Sequence, residues 1–275
     1  MRSLHLRHFK SGLVVISMII ATIIVLLPLC FIFVNIIKMG LSSLSPEFFT
    51  SIPKPPDESG GGVANGLVGS GIMLVISSLI GLPIGILGAV YLSEHRHGTF
   101  ASFIRFCANV LAGVPSIITG MVAYVLVVVP FKSFSAIAGS VALALIMIPI
   151  VLRTAEEQLK MVPDTLREAS LALGVPHWRT SLKVILKSAM GGVITGILLS
   201  VARIAGETAP LLFTALGNQF WNWKLMQPMA ALPLQIFNFA ISPYDGWHKL
   251  AWGGALVLVI IMFSINLAAK SFGRR

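Results

Sequence analysis

The sequence predicts an all-α integral membrane protein with six transmembrane helices and both termini on the cytoplasmic side. Its 275 residues are 56% hydrophobic and only 11% charged, whereas soluble domains carry about 25% charged residues. Several uncharged windows are long enough for a membrane-crossing helix of about 20 residues. Of the 20 Lys and Arg residues, fourteen lie in segments on the same side as the termini and five on the opposite side. Because basic residues concentrate on the cytoplasmic side, this division sets the orientation.

The six spans are expected at about 12–37, 66–92, 104–129, 135–152, 189–215 and 249–268. In the second span, Gly81-x-x-x-Gly85 favours close helix packing. In the third, Pro115 next to hydroxyl side chains indicates either a pore-lining stretch or a packing kink. The uncharged window 225–244 is interrupted by polar residues and prolines, so we assign it to an outside loop.

One long charged interval, 153–187, lies on the cytoplasmic side of this arrangement. Thr165 and Glu168 fit a capping box, which predicts that a helix begins near Asp164. Gly174 suits the residue just after that helix, and Pro176 suits the first position of a second one. The second helix is amphipathic, with an apolar stripe formed by Trp178, Leu182, Ile185 and Leu186. Such a hairpin either binds a protein partner or lies on the membrane surface.

The same interval resembles the EAA loop of bacterial ABC importer permeases. Glu168-Ala169-Ser170 and Gly174 match that motif, with Ser170 replacing its second alanine. Lys187 stands where the family often has proline, so the end of the motif matches less well. The resemblance implies a type I ABC importer permease fold, in which Glu168, Ala169, Ser170 and Gly174 dock the chain onto a cytoplasmic ATPase.

Two ionisable residues, Arg203 and Glu207, lie four positions apart within the fifth span. Charges inside a membrane are costly and usually face a cavity or each other, so the pair is either a substrate station or a structural ion pair. The planar guanidinium of arginine can grip an oxyanion through two hydrogen bonds. A carboxylate can accept a hydrogen bond from a protonated anion such as hydrogen phosphate, but sulfate has no proton to donate. Arg153 is either a cytoplasmic anchor or a second anion contact.

The stretch 203–215, which reads RIAGETAPLLFTA, resembles the fifth helix of PstA-type permease subunits of phosphate-specific importers. Residues 113–117 are also similar to that family. The resemblance implies translocation of inorganic phosphate across the bacterial inner membrane. We expect Arg203, Glu207, Arg153 and Thr208 to lie along the route. It divides the chain into an N-terminal helix and periplasmic loop, 1–65, and a permease domain, 66–270, whose coupling loop spans about 154–187.

The implied partners are a PstC-type permease subunit, two PstB-type ATPases that hold ATP and Mg²⁺, and a periplasmic phosphate-binding protein. The chain itself has no phosphate-binding P-loop, so we expect a pore subunit that is not an enzyme and has no cofactor. Cys30 and Cys107 fall in different spans and predict neither a disulfide nor a metal site. The net charge of +10 reflects the orientation bias, so nucleic acid is not an expected partner. A permease for phosphonate or molybdate and an ion-coupled secondary carrier remain the alternatives.

Overall fold

A computed structural model of the chain describes residues 2–56, 58 and 60–272. These residues are helical except for loops and one isolated bridge between Leu216 and Met229. In chain order, the described residues form α1 Arg2–Leu41, α2 Pro46–Thr50, α3 Ala64–Glu94, α4 Thr99–Gly113, α5 Ser116–Phe131, α6 Ala136–Lys160, α7 Asp164–Ala172, α8 His177–Ser188, α9 Met190–Ala205, α10 Ala209–Leu212, α11 Leu232–Ala240 and α12 Asp245–Phe272. The all-α prediction is therefore confirmed.

Four helices, α1, α3, α6 and α12, are long and apolar enough to cross a membrane. Two bent helix pairs, α4 with α5 at 108° and α8 with α9 at 73°, raise this number to as many as six if each pair counts as one span by length and composition. In the predicted topology α8 is cytoplasmic, and α9 carries the membrane-embedded part of the fifth span. The predicted window 225–244 contains only the nine-residue helix α11, which is too short to cross. This observation agrees with its assignment to a loop.

The third span is interrupted at Pro115, where the sequence left a pore-lining stretch or a packing kink open, and the fifth span is interrupted as well. Pro115 has no amide hydrogen and forces extended backbone on the preceding residue, so α4 ends at Gly113 and Val114 adopts ψ 132°. In the fifth span α9 ends at Ala205, and a short break separates it from α10, which has Pro210 in its first turn. Both interruptions place irregular backbone in the middle of an apolar stretch.

The packed centre of the bundle is the pair formed by α3 and α6. A Cβ added to Gly85 would lie 2.9 Å from Val151 Cβ, and one added to Gly81 would lie 3.2 Å from the sulfur of Met147. The two glycines therefore let the helices approach closely, as their spacing predicts. Met147 and Val151 are fully buried there, in a cluster that also includes Ile204 from α9.

Small residues also bring α9 onto α6. A Cβ added to Gly196 would lie 2.6 Å from the Thr154 hydroxyl, and one added to Gly192 would overlap the Gln158 side-chain oxygen. Gly192 contacts Gln158 and Gly196 contacts Thr154, so a later residue of α9 meets an earlier residue of α6. The two helices are therefore antiparallel. This register fixes how far along the bundle each charged residue of the fifth span lies.

The first helix stands apart from this bundle. Residues 11–34 of α1 are exposed all around, and Gly40 near its end packs against Trp252 and Leu256 of α12. In a membrane, such an apolar surface faces lipid or another protein chain. The permease bundle is therefore built by α3 to α12, while α1 is attached at its outer end.

Candidate functional site

The cytoplasmic segment α7–α8, residues 164–188, forms the predicted pair of helices around a tight break. Helix α7 begins at Asp164 as expected, but the capping box does not form. Pro163 occupies the N-cap position, and no side chain caps the helix. Thr165 thus lies within the first turn, where it cannot act as the N-cap residue.

Gly174 ends α7 in the left-handed conformation, with φ +77°. The Gly174 amide donates to Leu171 O at 2.9 Å, and the Val175 amide donates to Ser170 O at 3.3 Å. These two bonds form a Schellman motif, which satisfies carbonyls left open at the helix end. The predicted turn at Gly174 is confirmed, and Pro176 lies one residue before α8.

Ser170 links the two helices of the segment. Its hydroxyl lies 2.9 Å from the Thr180 hydroxyl, and both residues are buried. A buried hydroxyl needs a hydrogen-bond partner, so Thr180 accounts for a serine at the motif's second alanine position. Glu168 and Ala169, the other two residues of the motif, are exposed to the cytoplasm in the predicted orientation.

The apolar stripe predicted for α8 is exposed at its first residues and buried further along the helix. Ile185 is buried, but Trp178 and Leu182 are exposed. The reason is a π-helical turn over Thr180–Ile185, which shifts the register between the two ends of α8. Trp178 and Leu182 instead line an open groove of about 690 Å³ between α8 and the end of α3.

Ion pairs connect this segment to the turn between α3 and α4, and the sequence analysis missed them. The Arg167 guanidinium pairs with Glu94, and the Arg96 guanidinium pairs with Asp164 at 2.8 Å. A further pair joins Arg105 of α4 to the buried Glu156 of α6 at 2.7 Å. The only sequence signal was a charged turn opposite a charged interval, which does not identify the partners.

Arg203 and Glu207, the candidate pair of the fifth span, lie together at the end of α9. The Arg203 guanidinium nitrogen is 3.6 Å from the Glu207 carboxylate oxygen. The Arg203 side chain is 60% exposed in the isolated chain, whereas that of Glu207 is 15% exposed. The pair lines an open cleft of about 450 Å³, together with Leu199, Ala202, Gly206, Met262 and Asn266.

Two cleft residues, Met262 and Asn266, come from α12 and were not predicted. Their contribution depends on the packing of α9 against α12, which local sequence does not encode. Asn266 adds an amide that can both donate and accept hydrogen bonds. The cleft therefore combines a cation, a carboxylate and an amide on a wall that is otherwise mainly apolar.

The other two predicted route residues lie outside this cleft. Thr208 is half-buried in the break between α9 and α10, where its carbonyl accepts the amides of Leu211 and Leu212. Arg153 is exposed on α6, beside the Thr154 that meets Gly196. Because Arg203 is seven residues beyond Gly196, it lies roughly 10 Å further along the bundle at 1.5 Å per residue.

The break in the third span lies against the break in the fifth. A Cβ added to Gly120 of α5 would be 2.6 Å from Pro210 Cα, so the two backbones are in close contact. Pro210 follows Glu207 by three residues. The bend at Pro115 thus directs α5 onto the segment that carries the candidate site, which goes beyond a simple kink.

Comparison with known proteins places these features in context. Residues 81–275 match the family described as binding-protein-dependent transport system inner membrane component. A Yersinia pestis protein named phosphate transport system permease protein PstA is 45% identical over 88% of this chain and 82% of its own length. A Pasteurella multocida protein of the same name is 42% identical over 98% of this chain and 96% of its own.

Solved structures agree on the fold. A chain of the MetNI methionine ABC transporter, in an inward-facing conformation, superposes with a TM-score of 0.61. The match covers 77% of the present chain and 93% of the MetNI chain, at 21% sequence identity. At this identity the likeness concerns the fold, which is that of a type I ABC importer permease.

Proposed function

Because the chain belongs to the binding-protein-dependent transport system inner membrane components, and among them to the PstA-type permeases, we propose that it is the permease subunit that moves inorganic phosphate through an ATP-driven importer. It acts in the bacterial cytoplasmic membrane, which it crosses several times. The observation that carries the proposed route is the open cleft at Arg203 and Glu207.

Arg203 is the proposed phosphate contact. Its guanidinium has five N–H donors, and its one ion pair, with Glu207, is loose at 3.6 Å. The side chain is 60% exposed in the isolated chain, so donors remain available to an entering anion. A guanidinium binds two phosphate oxygens in parallel, which an ammonium cannot reproduce.

Glu207 is the proposed orienting and selecting group. An isolated arginine within the membrane costs roughly 3 kcal/mol on insertion scales, and a carboxylate one turn away lowers that cost. The carboxylate can accept a hydrogen bond from the O–H group of hydrogen phosphate, whereas sulfate has no proton to donate and would leave the carboxylate without that bond. It also limits the strength of anion binding, which favours release.

The remaining predicted residues take supporting roles in this proposal. Thr208 holds the start of α10 in the break, and Arg153 offers a cationic contact nearer the cytoplasm. Because the cleft is open on one side, a PstC-type subunit is the proposed partner that completes the pathway. A periplasmic phosphate-binding protein delivers the anion from outside.

The segment α7–α8 is the proposed contact with the ATPase. Glu168 and Ala169 are exposed there, while Ser170 and Gly174 hold the segment's shape. Two PstB-type ATPases, one for each permease subunit, would hold ATP and Mg²⁺. The present chain supplies the pathway and the docking segment, so we propose no catalytic residue in it.

Uptake of radiolabelled phosphate tests the site in a strain that has no other phosphate importer. Arg203→Gln removes the cation while keeping a polar side chain, so uptake should be abolished with the protein still assembled. Arg203→Lys should restore little phosphate uptake, because the ammonium of lysine lacks the planar fork of the guanidinium. Lys249→Gln is the matched control, since it removes one positive charge from an exposed position outside the cleft. Near-normal uptake by Arg203→Gln, at equal membrane levels, would reduce the pair to a structural ion pair.

A further inference from the structure

Helix α7 has few packing contacts of its own with the membrane bundle. Ser170 is its only buried residue among those described, and it faces Thr180 of α8. Among the described residues, two ion pairs join α7 to the end of α3 and the turn after it, Arg167 with Glu94 and Asp164 with Arg96. Leu166 of α7 also lines a small cleft with Gln158 of α6 and Gly192 of α9. The orientation of α7 relative to α3 therefore depends on charge contacts rather than on an apolar core.

These two ion pairs differ in burial. The side chains of Arg167 and Glu94 are 19% and 21% exposed, whereas those of Arg96 and Asp164 are 39% and 58% exposed. An exposed ion pair is screened by water and contributes little. A more buried pair is less screened, and removing one partner leaves a desolvated charge behind. The Arg167–Glu94 pair is thus the stronger determinant of the position of α7.

Among the described residues, Arg167 is the one partner found for the charge of Glu94. Its Oε2 binds Arg167, while its Oε1 is buried without a hydrogen-bond partner among the described residues. A half-satisfied buried carboxylate depends on the partner that it has. Loss of Arg167 would leave both oxygens unsatisfied and would favour movement of α7 away from Glu94.

The turn that carries Glu94 is itself anchored to the bundle. Arg105 of α4 donates to Leu92 O at 2.8 Å and to Arg96 O at 3.0 Å, on either side of Glu94. The same guanidinium pairs with the buried Glu156 of α6, which also binds Lys160 at 2.6 Å. Glu94 therefore has a position fixed relative to α3, α4 and α6, and it can serve as a reference point for α7.

From these contacts we propose that the Arg167–Glu94 ion pair holds α7 in the orientation that couples the ATPase to transport. Arg167 and Glu94 are positioning residues, because they act through the exposed Glu168 and Ala169 of the docking segment. Breaking the pair lets α7 move with the ATPase without displacing α3, so ATP is hydrolysed while less phosphate is carried. This proposal rests on the proposed function.

The test compares phosphate transported per ATP hydrolysed in proteoliposomes that contain the whole complex. Glu94→Arg and Arg167→Glu should each lower this ratio about five-fold or more, within the range of coupling energies between contacting groups. The double variant, which restores an ion pair in reverse, should recover most of the ratio. Glu94→Gln keeps the side-chain shape and should show the same loss, so the test does not depend on tolerance of the reversed charges.

Two further variants serve as controls. Asp245→Arg makes the same charge change as Glu94→Arg at an exposed position at the start of α12, outside the coupling loop, and its ratio should match the wild type. Asp164→Asn breaks the exposed pair and should cause a smaller loss than Glu94→Gln. Wild-type ratios in both Glu94 variants, or an equal loss in Asp164→Asn, would overturn the proposal. A wild-type complex that carries no phosphate would instead overturn the proposed function.

Discussion

Replacing Gly174 by alanine tests whether a left-handed turn in the docking segment is needed for coupling. The position is well suited to this purpose because no heavy atom outside its own neighbourhood lies within 4 Å of an added Cβ. The substitution therefore introduces no steric clash with another part of the chain. The substitution changes the conformational free energy needed to hold φ at +77°.

The free-energy cost of Gly174→Ala follows from this left-handed conformation. A residue with a Cβ pays roughly 1–2 kcal/mol in the left-handed region. Alanine also reduces the conformational entropy of the flexible state, and this reduction favours the ordered turn by a free energy of about 0.4–1 kcal/mol. The net cost is therefore about 1 kcal/mol, or roughly a five-fold smaller population with both Schellman bonds intact. Gly174→Asn should cost less, because asparagine tolerates this conformation better.

Gly71→Ala provides the matched control for this experiment. Gly71 also has open space around its Cβ position, but it lies inside α3 with ordinary helical backbone. Alanine is favoured over glycine in a helix by about 1 kcal/mol, so this variant should be neutral or slightly stabilised. The two substitutions add the same atom and differ in backbone conformation.

The assay is ATPase activity of the purified complex with and without loaded binding protein, at matched complex assembly. We expect stimulation to fall several-fold in Gly174→Ala, to fall less in Gly174→Asn and to persist in Gly71→Ala. Equal stimulation in Gly174→Ala and Gly71→Ala would refute the requirement for the left-handed turn. Loss in Gly71→Ala as well would show that the assay reports general damage.

Two other predictions concern the cleft and the outer loop. Glu207→Gln should weaken the preference for phosphate over sulfate more than that over arsenate, as measured by competition with labelled phosphate uptake. Lys54, by its hydrogen bond, holds the pKa of Glu47 below its ordinary value of 4.5, and Glu47 raises the pKa of Lys54 above 10.5. The stabilisation that the ionised Glu47 gives to the folded loop is thus full above pH 4.5. It is lost as the pH falls through the lower pKa that Glu47 has in the folded state, while Lys54 stays charged. The Gly61 amide donates to the Glu47 carboxylate, whereas the Gly62 amide donates to the Ile52 carbonyl oxygen. As the pH falls through this range, hydrogen exchange of the Gly61 amide, corrected for its intrinsic rate, should accelerate relative to that of the Gly62 amide.

Composition and local chemistry account for much of this fold. Hydropathy located the spans, because a membrane-crossing helix must be apolar over most of its length. Gly81, Gly85 and Gly174 were assigned their roles from properties of glycine itself, namely small size and access to positive φ. The proximity of Arg203 and Glu207 followed from their four-residue spacing. However, α9 ends at Ala205, so Glu207 lies beyond the helix whose face the sequence predicted it to share.

Features that depend on tertiary contacts escaped the sequence analysis. Pro115 predicts an interruption, but the 108° bend depends on the packing of α5 against Pro210. The Arg167–Glu94 pair joins residues 73 positions apart, and many other charges in the cytoplasmic segments were equally available partners. The capping box failed because Pro163 already occupied the N-cap position, which the motif alone did not reveal.

The two breaks also bear on the proposed phosphate route. Arg203 belongs to the last turn of α9 and is held by the helix, whereas Glu207 lies in the break that follows. Their separation can therefore change with the backbone of the break, without unfolding α9. That break is in contact with α5 through Gly120 and Pro210. Because α5 continues from α4, and Arg105 ties α4 to the α3–α4 turn and Glu156, a chain of contacts runs from the cytoplasmic side to the break that holds Glu207. A carboxylate that approaches and leaves Arg203 along this path would alternately release and hold the anion, which a rigid ion pair within one uninterrupted helix could not do.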